Sequence, residues 1–302
     1  MYHGVSTDAC FTLNGRHIPA NEFENHLLYY IKHFKIVPLS EIALLRRKLQ
    51  TNKDLIISLT FDDGFKNNLN VVLPLLEKYK IPATFFITTA SIEQQKEILD
   101  CELLEIGCSF SGLNELYLGT TLFKRYGMYN WQSYAGTSIY NFFQQQKPEE
   151  KIKLISEWKE KYKIDELSKK ISRQYYEVMN EAEIRQLASS SFVEIGSHTH
   201  SHHYLNLLDD LELEFELAHS KSILERITDE KIESIALPDG QYDERVLSFC
   251  RRAGYKNLVN VGLNRKEDNG IIDLFPRVGS SNSDGIAFNM ITISRFFNIH
   301  GF

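Results

Sequence analysis

Short apolar runs alternate along this chain with segments whose apolar residues recur at helical spacing. Residues 55–61, Leu-Ile-Ile-Ser-Leu-Thr-Phe, are rich in β-branched side chains and stop at Asp-Asp-Gly, which predicts a buried strand. A helical stretch follows over 67–79, with Pro74 expected to kink it or to sit in its first turns. Ile81-Pro82 breaks it, and 83–88 predicts a second buried strand. Strand, helix and strand within so few residues make a βαβ unit, and hence parallel strands.

The alternation resumes at Asn180, where Asn-Glu-Ala-Glu is a capping box for a helix reaching about Ala188. Strands are then expected over 192–195, 234–237 and 257–261, with helices over 209–227 and 244–253, the last ended by Gly254. Such βα repetition fits a barrel or a doubly wound sheet. Residues 91–178 interrupt it. Both Trp residues and amphipathic stretches such as 149–163 lie there, which predicts a mostly helical insertion within one domain spanning 1–302.

Composition narrows the functional classes. At 43% hydrophobic and 25% charged, the chain reads as an ordinary globular protein. Its net charge is −6 and it has no basic stripe, so nucleic acid is not an expected partner. The Lys-rich stretch 147–163 is interleaved with Glu and reads as a solvated helix face. Cys10, Cys101, Cys108 and Cys250 fit no metal spacing and no disulfide framework, which leaves buried or reduced thiols. No run approaches the roughly 18 apolar residues of a membrane span. The first residues lack the basic start and apolar stretch of a signal peptide, which reads as cytoplasmic, although a trimmed chain would look the same.

Two segments carry candidate chemistry. Thr60-Phe-Asp-Asp-Gly64 ends a buried strand, and in parallel βα folds that end faces the site. Adjacent carboxylates there are costly to keep charged unless a cation relieves one of them. The plainer alternative is that Asp-Gly makes a turn and Asp62 caps a helix. In His198-Thr-His-Ser-His-His203, the first and fifth residues would share one face of a helical turn and could grip one ion. An exposed His-rich loop, or adventitious metal binding, is the alternative. Two imidazoles and one carboxylate suit a catalytic zinc site or a non-haem iron centre; the second Asp, a candidate general base, favours hydrolysis.

Thr-Phe-Asp-Asp-Gly followed much later by His-Thr-x-x-His resembles the polysaccharide deacetylase family, the NodB-homology group of carbohydrate esterases (family 4). The resemblance covers about 1–90 and 180–280, and takes in Tyr2-His3-Gly4-Val5, Ile81-Pro-Ala-Thr-Phe-Phe86, Glu194-Ile-Gly-Ser-His198 and Leu237-Pro-Asp-Gly240. It implies a distorted (β/α)7 barrel and a divalent metal, zinc first, with cobalt, nickel or iron(II) as alternatives. Asp63, His198 and His202 would bind the metal and Asp62 would be the base. The substrate would be an N-acetylated sugar or polysaccharide, held by Pro238, Asp239, Tyr242 and His3, with the Asp239 backbone N–H facing the oxyanion.

Two departures bear on catalysis. Many members have Arg-x-Pro-Tyr-Gly where this chain has Ala236-Leu-Pro-Asp-Gly240, so the Arg that steers the base is missing; Ala there is similar to the biofilm poly-N-acetylglucosamine deacetylases. Arg277 is the candidate replacement, against the alternative of a surface or structural Arg. The late Leu-x-His motif that supplies the general acid has no clear match, and His300 is the candidate; His3, ending the first predicted strand, could reach the site instead, against the alternative of a core histidine or one that only supports the site. A glycan-binding domain without turnover is the rival reading, and an all-β iron oxygenase a third.

Overall fold

The computed structural model describes residues 1–8, 15–46, 55–127, 130–262, 271 and 273–280. Six parallel strands form its centre: β1 (Leu59–Phe61), β2 (Ala83–Ile87), β3 (Val193–Ser197), β4 (Ser234–Ala236), β5 (Asn257–Val261) and β6 (Leu274–Arg277). Their spatial order follows the chain from β1 to β6 without reversal. A doubly wound sheet reverses at a switch point, so the alternative left open by the βα pattern resolves in favour of a barrel. The parallel α/β sheet also removes the jelly roll required by the iron-oxygenase reading.

The first residues close the curl. Tyr2 N–H donates to Thr60 O (2.8 Å) and Asp62 N–H to Tyr2 O (3.0 Å), on the β1 side. On the other side, the Met1 nitrogen donates to Val278 O (2.8 Å) and Ser280 N–H to Met1 O (2.9 Å). Backbone groups at a sheet edge need partners, and this short link satisfies those of β1 and of the chain just beyond β6. It brings those two ends of the sheet together.

Inside, Phe61 stacks on Phe85 with ring centroids 4.8 Å apart, and Tyr2 stacks on Phe61 at 5.4 Å. All three are fully buried; each such side chain contributes about 1.5–3 kcal/mol of hydrophobic stabilisation. Pro74 lies at the start of the helix Leu73–Tyr79, and the preceding turn, Asn68–Val72, is wound as a π-helix. The wider turn accommodates the missing N–H and the ring, so Pro74 ends one winding and starts the next.

Between β2 and β3 the chain forms the helices Asp100–Phe110, Ile139–Gln144, Pro148–Tyr162 and Ile164–Ser168 around a hydrophobic cluster of their own. It also forms a three-stranded antiparallel sheet, Glu115–Leu118, Thr121–Arg125 and Trp131–Ser133, which helical periodicity did not reveal. Glu115–Leu118 alternates exposed and buried positions, the period-2 signature of a strand packed on one face. The Lys-rich helix face is not wholly solvated, because Lys151 is buried. Cys101, Cys108 and Cys250 are free and buried, and Cys10 lies outside the described residues. Among the described residues no helix is long and apolar enough to cross a membrane.

Candidate metal centre

The carboxyl ends of β1, β3, β4 and β6 deliver Asp62 and Asp63, His198, Pro238 and Arg277 to one side of the barrel. Asp63, His198 and His202 each offer a ligand atom, and these atoms all lie within 4.8 Å of one another. Asp63 Oδ1 is 3.5 Å from His198 Nε2 and 3.8 Å from His202 Nε2. That oxygen is buried and has no hydrogen-bond partner. A buried carboxylate oxygen without a donor costs free energy, and a cation between it and the two imidazoles would relieve that cost.

The outer contacts fit the same purpose. His198 Nδ1 is 2.9 Å from Ala236 O at the end of β4, so the ring donates there and turns the Nε2 lone pair inward. One carboxylate oxygen and two imidazole nitrogens form a donor set suited to zinc and similar divalent ions. The residues present therefore fit a metal.

His198 and His202 do not share a helical face, as their spacing suggested. The loop between them is irregular, with Thr199 (φ 66°) and His202 (φ 56°) in the left-handed region. A buried carboxylate holds it. Glu216, on the helix Asp210–Thr228, accepts the backbone N–H groups of His200 (2.9 Å) and Ser201 (2.8 Å). Thr199 N–H donates to Ser197 Oγ and His202 N–H to Thr199 Oγ1. Asp63 (φ 74°) and Asp239 (φ 49°) are left-handed as well, so strained backbone gathers around the site. The sequence signal for Glu216 is its place on the buried stripe of its helix with Leu213, Leu217 and Ser220.

Asp62 is clamped. Arg277 Nη1 and Nη2 donate to its two oxygens at 2.6 and 2.7 Å, while Arg277 Nε donates to Asn260 O and Nη1 also to Thr60 Oγ1. Both residues are buried. Burial alone pushes the Asp62 carboxyl up, but the guanidinium of Arg277, seconded by His198, outweighs it and holds the group well below the usual carboxylate range. Burial likewise raises Asp63, and His3, His202, Arg16 and His198 together bring it below its ordinary value. The imidazoles respond in the opposite sense: burial lowers His202, helped by His198, and lowers His3 to about 4 against the pull of Asp63.

The other expected residues divide. His3 senses Asp63, Asp62, Arg16 and His198 electrostatically, so it belongs to the cluster. Pro238 starts the tight turn Pro238–Gly240, and Asp239 Oδ2 accepts from Tyr140 Oη at 2.8 Å. Tyr242 stands behind the Arg277 clamp, its hydroxyl accepting from Asn260 Nδ2 at 3.3 Å. His300 lies outside the described residues.

Four contributors were not anticipated. Arg16 lies 3.4 Å from Asp63 Oδ2 and pairs with Glu102, whose pKa burial raises to about 7 against the pull of that guanidinium. Gln144 Nε2 stands 3.4 Å from His202 Nδ1, and its Oε1 accepts from Lys151 Nζ at 2.6 Å. Lys151 also lies 2.8 Å from His203 Nδ1. Apart from Arg16, these residues come from the segment between β2 and β3. No local pattern marks them, because only packing brings that segment over the barrel mouth.

Comparison with known proteins agrees with this layout. A family model described as polysaccharide deacetylase matches residues 49–110 and 133–258. YxkH of Bacillus subtilis (strain 168), whose name places it among candidate polysaccharide deacetylases, is 26% identical over 107 residues. That match spans 35% of this chain and 37% of YxkH, so the chain aligns with little more than a third of its curated relative. BC0361, a polysaccharide deacetylase from Bacillus cereus, superposes with a TM-score of 0.59 at 16% identity, covering 97% of this chain and 67% of that one. A de-N-acetylase from Aggregatibacter actinomycetemcomitans gives 0.57 at 16% identity, over 98% and 97%. At such identities the superpositions speak for the fold alone. The family model, by contrast, spans both loops that hold the candidate ligands, and the chain belongs to the polysaccharide deacetylase family.

Proposed function

We propose that this protein is a metal-dependent N-deacetylase that hydrolyses the acetamide of an N-acetylated amino sugar in a glycan or glycan precursor. The observation that carries the reading is the buried, unpartnered Asp63 Oδ1 facing two imidazole nitrogens, with a second, ionised carboxylate beside it. Asp63, His198 and His202 would hold a divalent cation, zinc first, which would supply Lewis acidity and lower the pKa of coordinated water.

The chain's own groups supply the rest. Asp62 takes a proton from the attacking water and returns it to the departing nitrogen, so that amide and water become amine and acetate. Arg277 positions Asp62 by its two-point grip, the part expected of the Arg missing before Leu237. The tight turn at Pro238 directs the Asp239 N–H at the oxyanion that develops on the acetyl carbon. His3, which feels the charges of Asp63 and Asp62, is assigned to substrate contact. Its lowered pKa leaves the ring neutral near pH 7, without a proton to give the departing nitrogen.

Next to His202 and His203 lies a cavity of about 440 Å³ whose wall includes Asp100, Phe143, Gln144, Lys151 and Ile152 from the inserted segment. This supports the view that the segment selects the substrate. The rival reading, a glycan-binding domain without turnover, rests on the missing Arg and on the missing acid motif; Arg277 against Asp62 weakens the first ground, and His300, the candidate for the second, lies outside the described residues.

The test is acetate release from a panel of N-acetyl amino sugars and their oligomers by metal-loaded protein, with Asp62→Asn as the control. Release should fall about 10²–10⁴-fold in the variant while its bound metal remains. No release by the wild type from any member would favour binding alone, and equal release by both would remove Asp62 from its role.

A further inference from the structure

The loop that carries His198 and His202 presents a third histidine to a separate cluster. His200 Nε2 lies 3.7 Å from Glu93 Oε2, and His219 Nε2 lies 3.0 Å from that same oxygen. The three ligand atoms fall within 4.8 Å of one another. They come from three elements: the short helix Ala90–Glu93, the loop after β3, and the middle of the helix Asp210–Thr228.

The geometry is that of a chelating cluster. Two donors bound to one zinc at 2.0–2.1 Å and a tetrahedral angle sit about 3.4 Å apart, and the two observed separations bracket that figure. An ordinary His–Glu ion pair explains the shorter contact. It does not explain why a second, buried imidazole converges on the same oxygen. His200 Nδ1 is 2.9 Å from Thr89 Oγ1; donating there, it leaves the Nε2 lone pair directed at the cluster. His219 stacks on Phe215 with centroids 4.6 Å apart, which restricts its ring.

We propose that Glu93, His200 and His219 form a second divalent-cation site, separate from Asp63, His198 and His202. Two nitrogens and one oxygen favour zinc, cobalt or nickel over magnesium or calcium. Glu93 is 43% exposed and His219 32%, so water completes the coordination shell. The ion's work is structural. Ala90 N–H already donates to His200 O (2.8 Å) and Thr89 N–H to Thr199 O (3.3 Å). A cation here ties that contact to the long helix and braces the loop from which His198 and His202 reach inward. The inference does not depend on the deacetylase reading.

Tag-free full-length protein, stripped with EDTA and dialysed, is titrated with Co²⁺, and bound metal is measured by its visible absorption and by elemental analysis. The wild type should bind two equivalents. His219→Ala and Glu93→Gln should each bind one, as should His202→Ala, which leaves the second site intact; the double variant His202→Ala/His219→Ala should bind none. Circular dichroism verifies that each variant is folded, and Glu93→Gln, at a partly exposed position, guards against a fold defect in His219→Ala. In the His202→Ala background Co²⁺ should still raise Tm, and that rise should vanish on adding Glu93→Gln. A single equivalent in the wild type that His202→Ala removes and His219→Ala leaves, or two retained in both His219→Ala and Glu93→Gln, overturns the proposal; a single equivalent that His219→Ala removes and His202→Ala leaves overturns the first site instead.

Discussion

Replacing Arg277 by Met probes the electrostatics of the site with least change of shape. Met fills much of the same volume but donates nothing, so Asp62 loses both hydrogen bonds and its main counter-charge. Asp62 is 2% exposed and cannot turn to solvent without moving β1. Removing one partner of a buried pair costs about 3–5 kcal/mol, much of it the stranded charge. The pH dependence identifies that origin. In the wild type the folded-state pKa is depressed, so the pair's stabilisation is present above the unfolded value of about 3.9 and is lost only as pH falls below it. In the variant burial acts unopposed by the guanidinium and the folded-state pKa rises instead. The sign then reverses: the stranded carboxyl picks up a proton as pH falls, and its penalty shrinks. Urea unfolding of metal-free protein in EDTA should show the variant several kcal/mol weaker at pH 7. The gap should narrow toward pH 5 by up to about 1.4 kcal/mol per pH unit, the slope for one proton. A gap under about 1 kcal/mol, or one independent of pH, would refute the reasoning.

Three further outcomes follow from the geometry. Glu216→Ala removes the acceptor of two backbone N–H groups, each such charge-assisted bond worth about 1.5–3 kcal/mol; both Tm and metal affinity should fall, read by calorimetry and metal titration. His202→Ala should abolish acetate release while excess metal restores little, since the ligand set loses one of its three donors, whereas EDTA-treated wild type should recover fully on adding metal. A Cβ built on Gly107 would lie 2.5 Å from the Trp158 ring, so Gly107→Ala should destabilise the inserted segment by about 1–3 kcal/mol, visible as increased hydrogen exchange between β2 and β3.

Much of this molecule is local and was legible before any coordinates. Apolar runs ending in polar turns marked β1 and β2, and Asn180 with Glu183 marked a helix start that the structure shows with both capping bonds. Asp62-Asp63 and the His-rich stretch lay directly after predicted strands, and a parallel sheet obliges residues in that position to face one mouth. That rule brings Asp63 and His198 together whatever the loops do. The three-strand sheet at 115–133 escaped because its strands are three to five residues long, too short for periodicity to separate from noise.

Tertiary structure decided what depends on distance. His202 comes within 3.8 Å of Asp63 through left-handed backbone beside a loop held by Glu216, not through the i, i+4 geometry of a helix. Arg277 meets Asp62, 215 residues away, because Tyr2 and Met1 close the sheet between them. Gln144 and Lys151 reach His202 and His203 because the inserted segment packs over the mouth. Side-chain chemistry and strand polarity are written residue by residue, whereas which charges neutralise one another is settled by closure of the barrel, a property of the folded chain as a whole.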